Sequence, residues 1–188
     1  MNKEDIRVNI PNLISLARLL SVPLTVWLIM KGEIYVAFWV FILAGMSDAV
    51  DGFVAKKFNL QTELGSYLDP IADKALLVSV FITLGQVGYL DSWLVLLVVF
   101  RDGLILVGAF LYYLIYQNLS MEPLLISKVN TTAQFSLVTL VLGLHGYAVF
   151  DSTIIDIMVY IVAATTVMSG AIYVGIWGMR AARTEPGE

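Results

Sequence analysis

The chain of 188 residues contains no cysteine and a single histidine. Without cysteine, neither a disulfide framework nor a thiolate metal site is possible. One imidazole cannot build a histidine cluster, so any metal site here must rest on oxygen ligands. Charge is scarce as well: Lys, Arg, Asp and Glu make up 14% of the residues, with a net charge of −4. That sum says less than its distribution. No linker, low-complexity stretch, internal repeat or separate soluble domain is visible, and no nucleic-acid partner is expected. Apolar residues dominate instead. They form 59% of the chain, against roughly 45–50% in soluble domains. This is the composition of a membrane protein, and its length suits one domain covering 1–188.

The pattern predicts an all-α integral membrane protein with six transmembrane helices. Spans are expected at about 13–30, 34–55, 71–90, 93–116, 129–150 and 153–179, each long enough for a hydrocarbon core of ~30 Å. A short interfacial segment at about 1–12 precedes them, and a polar tail at about 180–188 follows. No A-x-A-like cleavage site follows the first span, which argues against a signal peptide. Lys3, Arg7, Lys56, Lys57, Lys128, Arg180 and Arg183 fall on one side of this topology. The positive-inside rule makes that side cytoplasmic, together with both termini. The expected location is a bacterial inner membrane or an organellar inner membrane.

Asp48, Asp51, Asp69 and Asp73 stand out against this background. The first two are three residues apart and the second two are four apart, and on a helix each spacing puts its pair on one face. A charged residue at bilayer depth costs about 2.5–3.5 kcal/mol on insertion scales, so four carboxylates facing lipid would not persist. They must converge near a water-accessible end with something cationic between them, and two divalent ions would neutralise them. Magnesium or manganese, which favour carboxylate and water oxygens, is the expected choice. A capping role is the alternative for Asp69, which precedes Pro70 and would then open the third helix.

In order these residues read D-x-x-D-G-x-x-A-K, eight residues, then G-x-x-x-D-x-x-x-D, from Asp48 through Asp51, Gly52, Ala55, Lys56, Gly65 and Asp69 to Asp73. The pattern resembles the signature of the CDP-alcohol phosphotransferases, membrane enzymes of phospholipid synthesis. The resemblance implies Asp48, Asp51 and Asp69 as metal ligands, and Asp73 as ligand, general base, or both. It implies that Asp48, Gly52, Ala55, Lys56 and Gly65 border the CDP moiety. It further implies CDP-diacylglycerol as donor, CMP as leaving group, a membrane-lipid environment and a homodimer. Lys56 departs from the pattern, which has arginine there. Lysine is a point charge on a flexible stem, so a bidentate phosphate contact does not carry over.

Two further stretches extend the likeness. NIPNLISLAR, ending at Arg18, resembles the opening of phosphatidylglycerophosphate and cardiolipin synthases. Asn12, Ser15 and Arg18 share a helix face there, which either looks toward phosphates or anchors the helix with a snorkelling arginine. The stretch from Arg101 to Gln134 is more similar to eukaryotic-type cardiolipin synthases. Arg101 lies inside an apolar span, where an ionisable residue is a functional hypothesis by default. Pairing with Asp102 is the other reading, disfavoured because adjacent helical residues do not face each other. With Lys128, and with Arg18, Arg101 is expected to hold an acceptor phosphate. Glycerol 3-phosphate and phosphatidylglycerol both fit as acceptors, and inositol phosphate or serine are alternatives. A small cation transporter would also explain the acidic cluster, but not the fixed Gly and Ala spacing. Gly170, Gly175 and Gly178 are expected to permit close helix packing.

Overall fold

The computed structural model describes the backbone of residues 3–58, 63–116, 125–149 and 152–183, and the side chains of residues 14–47, 71–108, 125–149 and 153–176. The described residues form six helices and no strand. They are α1 (Lys3–Met30), α2 (Ile34–Phe58), α3 (Glu63–Gln86), α4 (Ser92–Tyr116), α5 (Leu125–Gly146) and α6 (Ser152–Arg183). Apolar runs of this length favour helix because each backbone donor and acceptor is satisfied within its own segment. Two stretches, Leu125–Gly146 and Thr153–Ile176, are long and apolar enough to cross a membrane by length and composition. Ile14–Met30 and Ile34–Ser47 are shorter apolar stretches.

Helix number and order match the sequence expectation, but several boundaries do not. α3 begins at Glu63, well before Pro70, so Pro70 does not open the helix and Asp69 is not its cap. An interior proline costs a helix one backbone hydrogen bond. Apolar surroundings tolerate that loss better than an unwound segment with many unsatisfied groups. α1 runs unbroken from Lys3, so the expected interfacial segment belongs to the first helix. α6 continues to Arg183 into the expected polar tail, whose Ala and Arg residues are good helix formers.

Three helices end in the same way. Gly32 N–H donates to the Ile29 carbonyl and Glu33 N–H to that of Leu28, closing α1. Gly88 and Tyr89 repeat the pattern onto Gly85 and Leu84, closing α3. Ala148 and Val149 repeat it onto His145 and Leu144 after α5. This is the Schellman arrangement, and it requires a left-handed residue just past the helix end. Gly32 and Gly88 supply it at φ 81°. Ala148 supplies it at φ 55°, where a Cβ is strained.

The chain divides into two compact units. The first comprises Met1–Leu90 and Val138–Asp151; within it α1 packs along both α2 and α3, which touch each other little. Buried Ile34, Ala37, Phe41 and Ala44 form one stripe of α2, and Leu76, Val80, Phe81 and Leu84 one of α3. The α5 end fits tightly against the start of α2: a Cβ on Gly146 would lie 3.0 Å from the Tyr35 Cα. At the same end Tyr89 stacks on His145, with ring centroids 4.1 Å apart. The second unit comprises Asp91–Leu137 and Ser152–Glu188, with α4 packed on α6. α6 buries Val159, Val162, Thr166, Ser169 and Tyr173, at helical spacings of three and four.

Polarity is inverted relative to a soluble protein. Leu96, Phe100, Tyr160 and Val167 are exposed, whereas Arg18, Arg101, Asp102, Asn130, Gln134 and Thr166 are buried. Exposed large apolar side chains in this number favour a nonaqueous neighbour. At Gly175 none of the described residues lies within 4 Å of an added Cβ. At Gly170 the neighbour among the described residues is the Arg101 stem at 3.6 Å, an ordinary contact. Gly178 lies outside the described side chains.

The helix ends give a direct test. Ala148→Gly relieves left-handed strain and is expected to stabilise the protein by about 1 kcal/mol, while Gly88→Ala should destabilise it by a similar amount. Thermal unfolding in detergent, compared with wild type, measures both. Unchanged midpoints for both variants would show that these turns carry no strain.

Candidate functional site

Asp48, Asp51, Gly52, Ala55 and Lys56 lie in the last turns of α2, and Gly65, Asp69 and Asp73 in the first half of α3. Both stretches have helical backbone, so each aspartate pair shares one helix face, as its spacing requires. The side chains of Asp48, Asp51, Gly52, Ala55, Lys56, Gly65 and Asp69 lie outside the described residues. Asp73 is described and supplies the geometry of this region.

Asp73 is half-buried, with its side chain 39% exposed. Its Oδ1 accepts a hydrogen bond from Arg18 Nη1 of α1 at 3.2 Å. Arg18 is fully enclosed, with no exposed side-chain surface. A guanidinium held in such surroundings without a counter-charge would cost several kcal/mol. The Asp73 carboxylate offsets that cost while keeping much of its own surface accessible. Ser15, one turn earlier on the same face, is also buried. Of the two roles open to Arg18, snorkelling is therefore overturned, because the side chain points into the bundle and not to an interface. Its observed partner is a carboxylate of the signature.

Arg101 is also buried. Its Nη1 donates to Asp102 Oδ1 at 2.7 Å, and the pair is almost wholly enclosed. The expectation that neighbours along a helix would not pair is thereby corrected. Their Cβ vectors diverge, but the arginine stem is long enough to curl back, and in apolar surroundings there is no water to compete for the charge. Nη2 donates to Ser127 of α5 at 2.9 Å and also to Ser169 of α6. The Arg101 Cζ lies 6.0 Å from the Tyr173 ring centroid. One guanidinium thus joins three helices of the second unit. Lys128, in contrast, is exposed in the first turn of α5. Arg101 and Lys128, expected to form one basic pocket, occupy different environments.

Sequence reading missed a row of polar groups in the second unit. Asn130 Oδ1 accepts hydrogen bonds from Thr165 and Thr166 of α6, each at 2.9 Å, and Gln134 follows Asn130 one turn later, fully buried. The available signal was polar residues at spacings of three and four, Ser127, Asn130 and Gln134 on α5, inside an otherwise apolar helix.

Only oxygen ligands are present in the signature region. Among the described residues no group of three or more His, Asp or Glu gathers at a single point. Four aspartates on two successive helices, with Asp73 accessible at its carboxylate, fit a hard divalent cation by ligand chemistry.

The chain matches the CDP-alcohol phosphatidyltransferase family over residues 8–177. It is 36% identical over 181 residues to the chloroplastic CDP-diacylglycerol–glycerol-3-phosphate 3-phosphatidyltransferase 1 of Oryza sativa subsp. japonica, covering 86% of this chain and 55% of that protein. It is 33% identical to the cardiolipin synthase (CMP-forming) of Rattus norvegicus, covering 87% of this chain and 60% of that one. It is 32% identical to the CDP-diacylglycerol–glycerol-3-phosphate 3-phosphatidyltransferase of Rickettsia bellii, covering 88% of this chain and 93% of that protein. The chain therefore spans little more than half of the plant and rat relatives and nearly all of the bacterial one.

The Arg101–Asp102 pair yields a stability test. Asp102→Ala leaves a buried cation without its carboxylate and should destabilise by about 3–5 kcal/mol. The double variant Arg101→Met with Asp102→Leu should recover most of that loss. Unfolding midpoints for the single and double variants measure the difference, and an additive loss in the double variant would contradict the pairing.

Proposed function

The chain belongs to the CDP-alcohol phosphatidyltransferase family, and from that premise we propose that it moves a phosphatidyl group from CDP-diacylglycerol to a glycerol-based acceptor, releasing CMP. The observation that carries this reading is the helical signature with Asp73 accessible and held from behind by Arg18. Relatives bear the names of both glycerol 3-phosphate transferases and cardiolipin synthases. Both glycerol 3-phosphate and phosphatidylglycerol therefore belong in the acceptor class.

We take the chain as one catalytic domain of six alternating spans with both termini cytoplasmic, in a bacterial or organellar inner membrane. The exposed apolar surface and buried polar interior support spanning, and the distribution of Lys and Arg supports the orientation. The alternation puts the end of α2, the start of α3 and the start of α5 on the cytoplasmic side, where a nucleotide-linked donor arrives.

Asp48, Asp51, Asp69 and Asp73 would hold magnesium or manganese, as a pair of ions by charge balance. Bound there, such ions stabilise the attacking and leaving oxygens of an in-line displacement at phosphorus. Gly52, Ala55 and Gly65 leave room for the flat nucleotide against the backbone, and Lys56 supplies a single positive charge to its phosphates. The acceptor hydroxyl attacks the phosphorus attached to diacylglycerol. Its proton passes to an Asp73 oxygen, the P–O bond to CMP breaks, and CMP leaves with the electron pair. Arg18 fixes the Asp73 carboxylate through the observed hydrogen bond, limiting its rotation. Lys128, exposed at the start of α5, attracts the acceptor phosphate. Arg101 shapes that region from the interior, since both terminal nitrogens already bind Asp102, Ser127 and Ser169.

Chelation should abolish CMP release from CDP-diacylglycerol, and magnesium or manganese should restore it. Asp48→Asn, Asp51→Asn and Asp69→Asn should each lose most activity while remaining folded. Full turnover after exhaustive chelation, or near-wild-type rates in all three variants, rejects the metal assignment.

Proton transfer and acceptor binding separate kinetically. Asp73→Asn should lower kcat by about 10²–10⁴. Lys128→Ala should raise the acceptor KM by about one to two decades, with a smaller effect on the donor. Steady-state kinetics with glycerol 3-phosphate and phosphatidylglycerol in parallel measure both. An unchanged acceptor KM in Lys128→Ala would make that residue an ordinary membrane anchor.

A further inference from the structure

The polar row of the second unit is incompletely satisfied. Asn130 and Gln134 are fully buried one turn apart on α5. The two threonine hydroxyls of α6 occupy Asn130 Oδ1, but among the described residues Asn130 Nδ2 has no partner. Neither Nε2 nor Oε1 of Gln134 has one. An unpaired buried polar group costs about 1–3 kcal/mol, so three within a single helical turn is an expensive arrangement. Elsewhere in the same unit both terminal nitrogens of Arg101 are paired, with Asp102, Ser127 and Ser169, and only its Nε is left over.

The three atoms present two amide donor groups and one carbonyl acceptor. A phosphate would match the donors and be repelled by Oε1, because it has no proton to offer. A cation would match Oε1 alone. A hydroxyl both donates and accepts, and two hydroxyls on neighbouring carbons can satisfy all three atoms together. The donors are carried on α5, whose Asn130 is held by two hydrogen bonds from α6, so the first amide is oriented before any ligand arrives.

We propose that Asn130 and Gln134 form a subsite for the vicinal hydroxyls of a polyol headgroup. Naming that polyol as the glycerol of the acceptor rests on the phosphatidyl-transfer reading above. On that reading the amides distinguish a diol from an alcohol with a single hydroxyl, whereas Lys128 answers only to charge. Specificity then comes from the analogue that leaves buried amides unpaired.

The test uses the purified full chain and four probes: glycerol 3-phosphate, 3-hydroxypropyl phosphate, phosphatidylglycerol and phosphatidyl-1,3-propanediol. The second and fourth lack only the central hydroxyl. Gln134→Met is the variant of choice, because the Gln134 amide binds none of the described residues and methionine preserves its volume. Its unfolding midpoint without ligand should equal or exceed that of wild type. Wild type should prefer the diol over its deoxy analogue by about tenfold or more in kcat/KM for at least one pair. In Gln134→Met that ratio should fall to within about threefold, with turnover of the deoxy analogue retained. The same ratios are read independently as ligand-induced shifts in unfolding midpoint. A diol-specific shift in wild type that disappears in Gln134→Met supports the subsite even if no probe yields CMP, in which case the phosphatidyl-transfer reading fails alone. Equal shifts from diol and deoxy probes in wild type overturn the subsite. So does a diol preference that persists in Gln134→Met, and the amides then hold water only.

Discussion

A charge removed from water must find its opposite within reach, and the interior of this protein is arranged around that requirement. Arg18 has no exposed side-chain surface, and the carboxylate that compensates it belongs to Asp73. Arg101 is compensated by Asp102 and tied by serines to α5 and α6. In each unit an arginine joins helices that apolar packing alone would let slide. Hydrocarbon contacts are nondirectional, whereas a guanidinium accepts partners in only a few directions. Packing therefore brings the helices together, and the arginines select their register.

The two ion pairs differ in what they leave available. Asp102 is enclosed with its partner, and that pair serves the interior alone. Asp73 keeps 39% of its side chain open, so the carboxylate that neutralises Arg18 is not enclosed along with it. Burying the cation and exposing the anion concentrates negative charge at the accessible face. Such a face favours divalent cations and, through them, phosphates. Structural compensation and the proposed chemistry thus meet in one side chain.

Much of this was legible in the sequence. Six apolar runs separated by short polar breaks fix the number and order of helices, because a backbone in apolar surroundings has few alternatives to helix. The aspartate spacings identify shared faces as soon as the segment is helical. Helix starts were less legible: Pro70 reads as an opening residue, yet α3 begins at Glu63, because local proline chemistry yields to the cost of unwinding. The Arg101–Asp102 pair was misread because Cβ geometry understates the reach of an arginine. The partner of Arg18 was illegible, since 55 residues separate it from Asp73 and only tertiary packing joins them. The surroundings of Gly175 were equally hidden, because a glycine in a sequence does not reveal what passes beside it.

The contrast between a compensating residue next door and one far along the chain bears on biogenesis. Arg101 and Asp102 leave the ribosome together, so the helix that carries them is neutralised as it forms. Arg18 emerges 55 residues ahead of Asp73, which at ~5–20 residues per second is a delay of several seconds. During that interval the Arg18 cation lacks the Asp73 carboxylate. Retention beside the insertion machinery until α3 arrives would shelter it, so the first three helices are expected to partition into lipid as a group and not one by one.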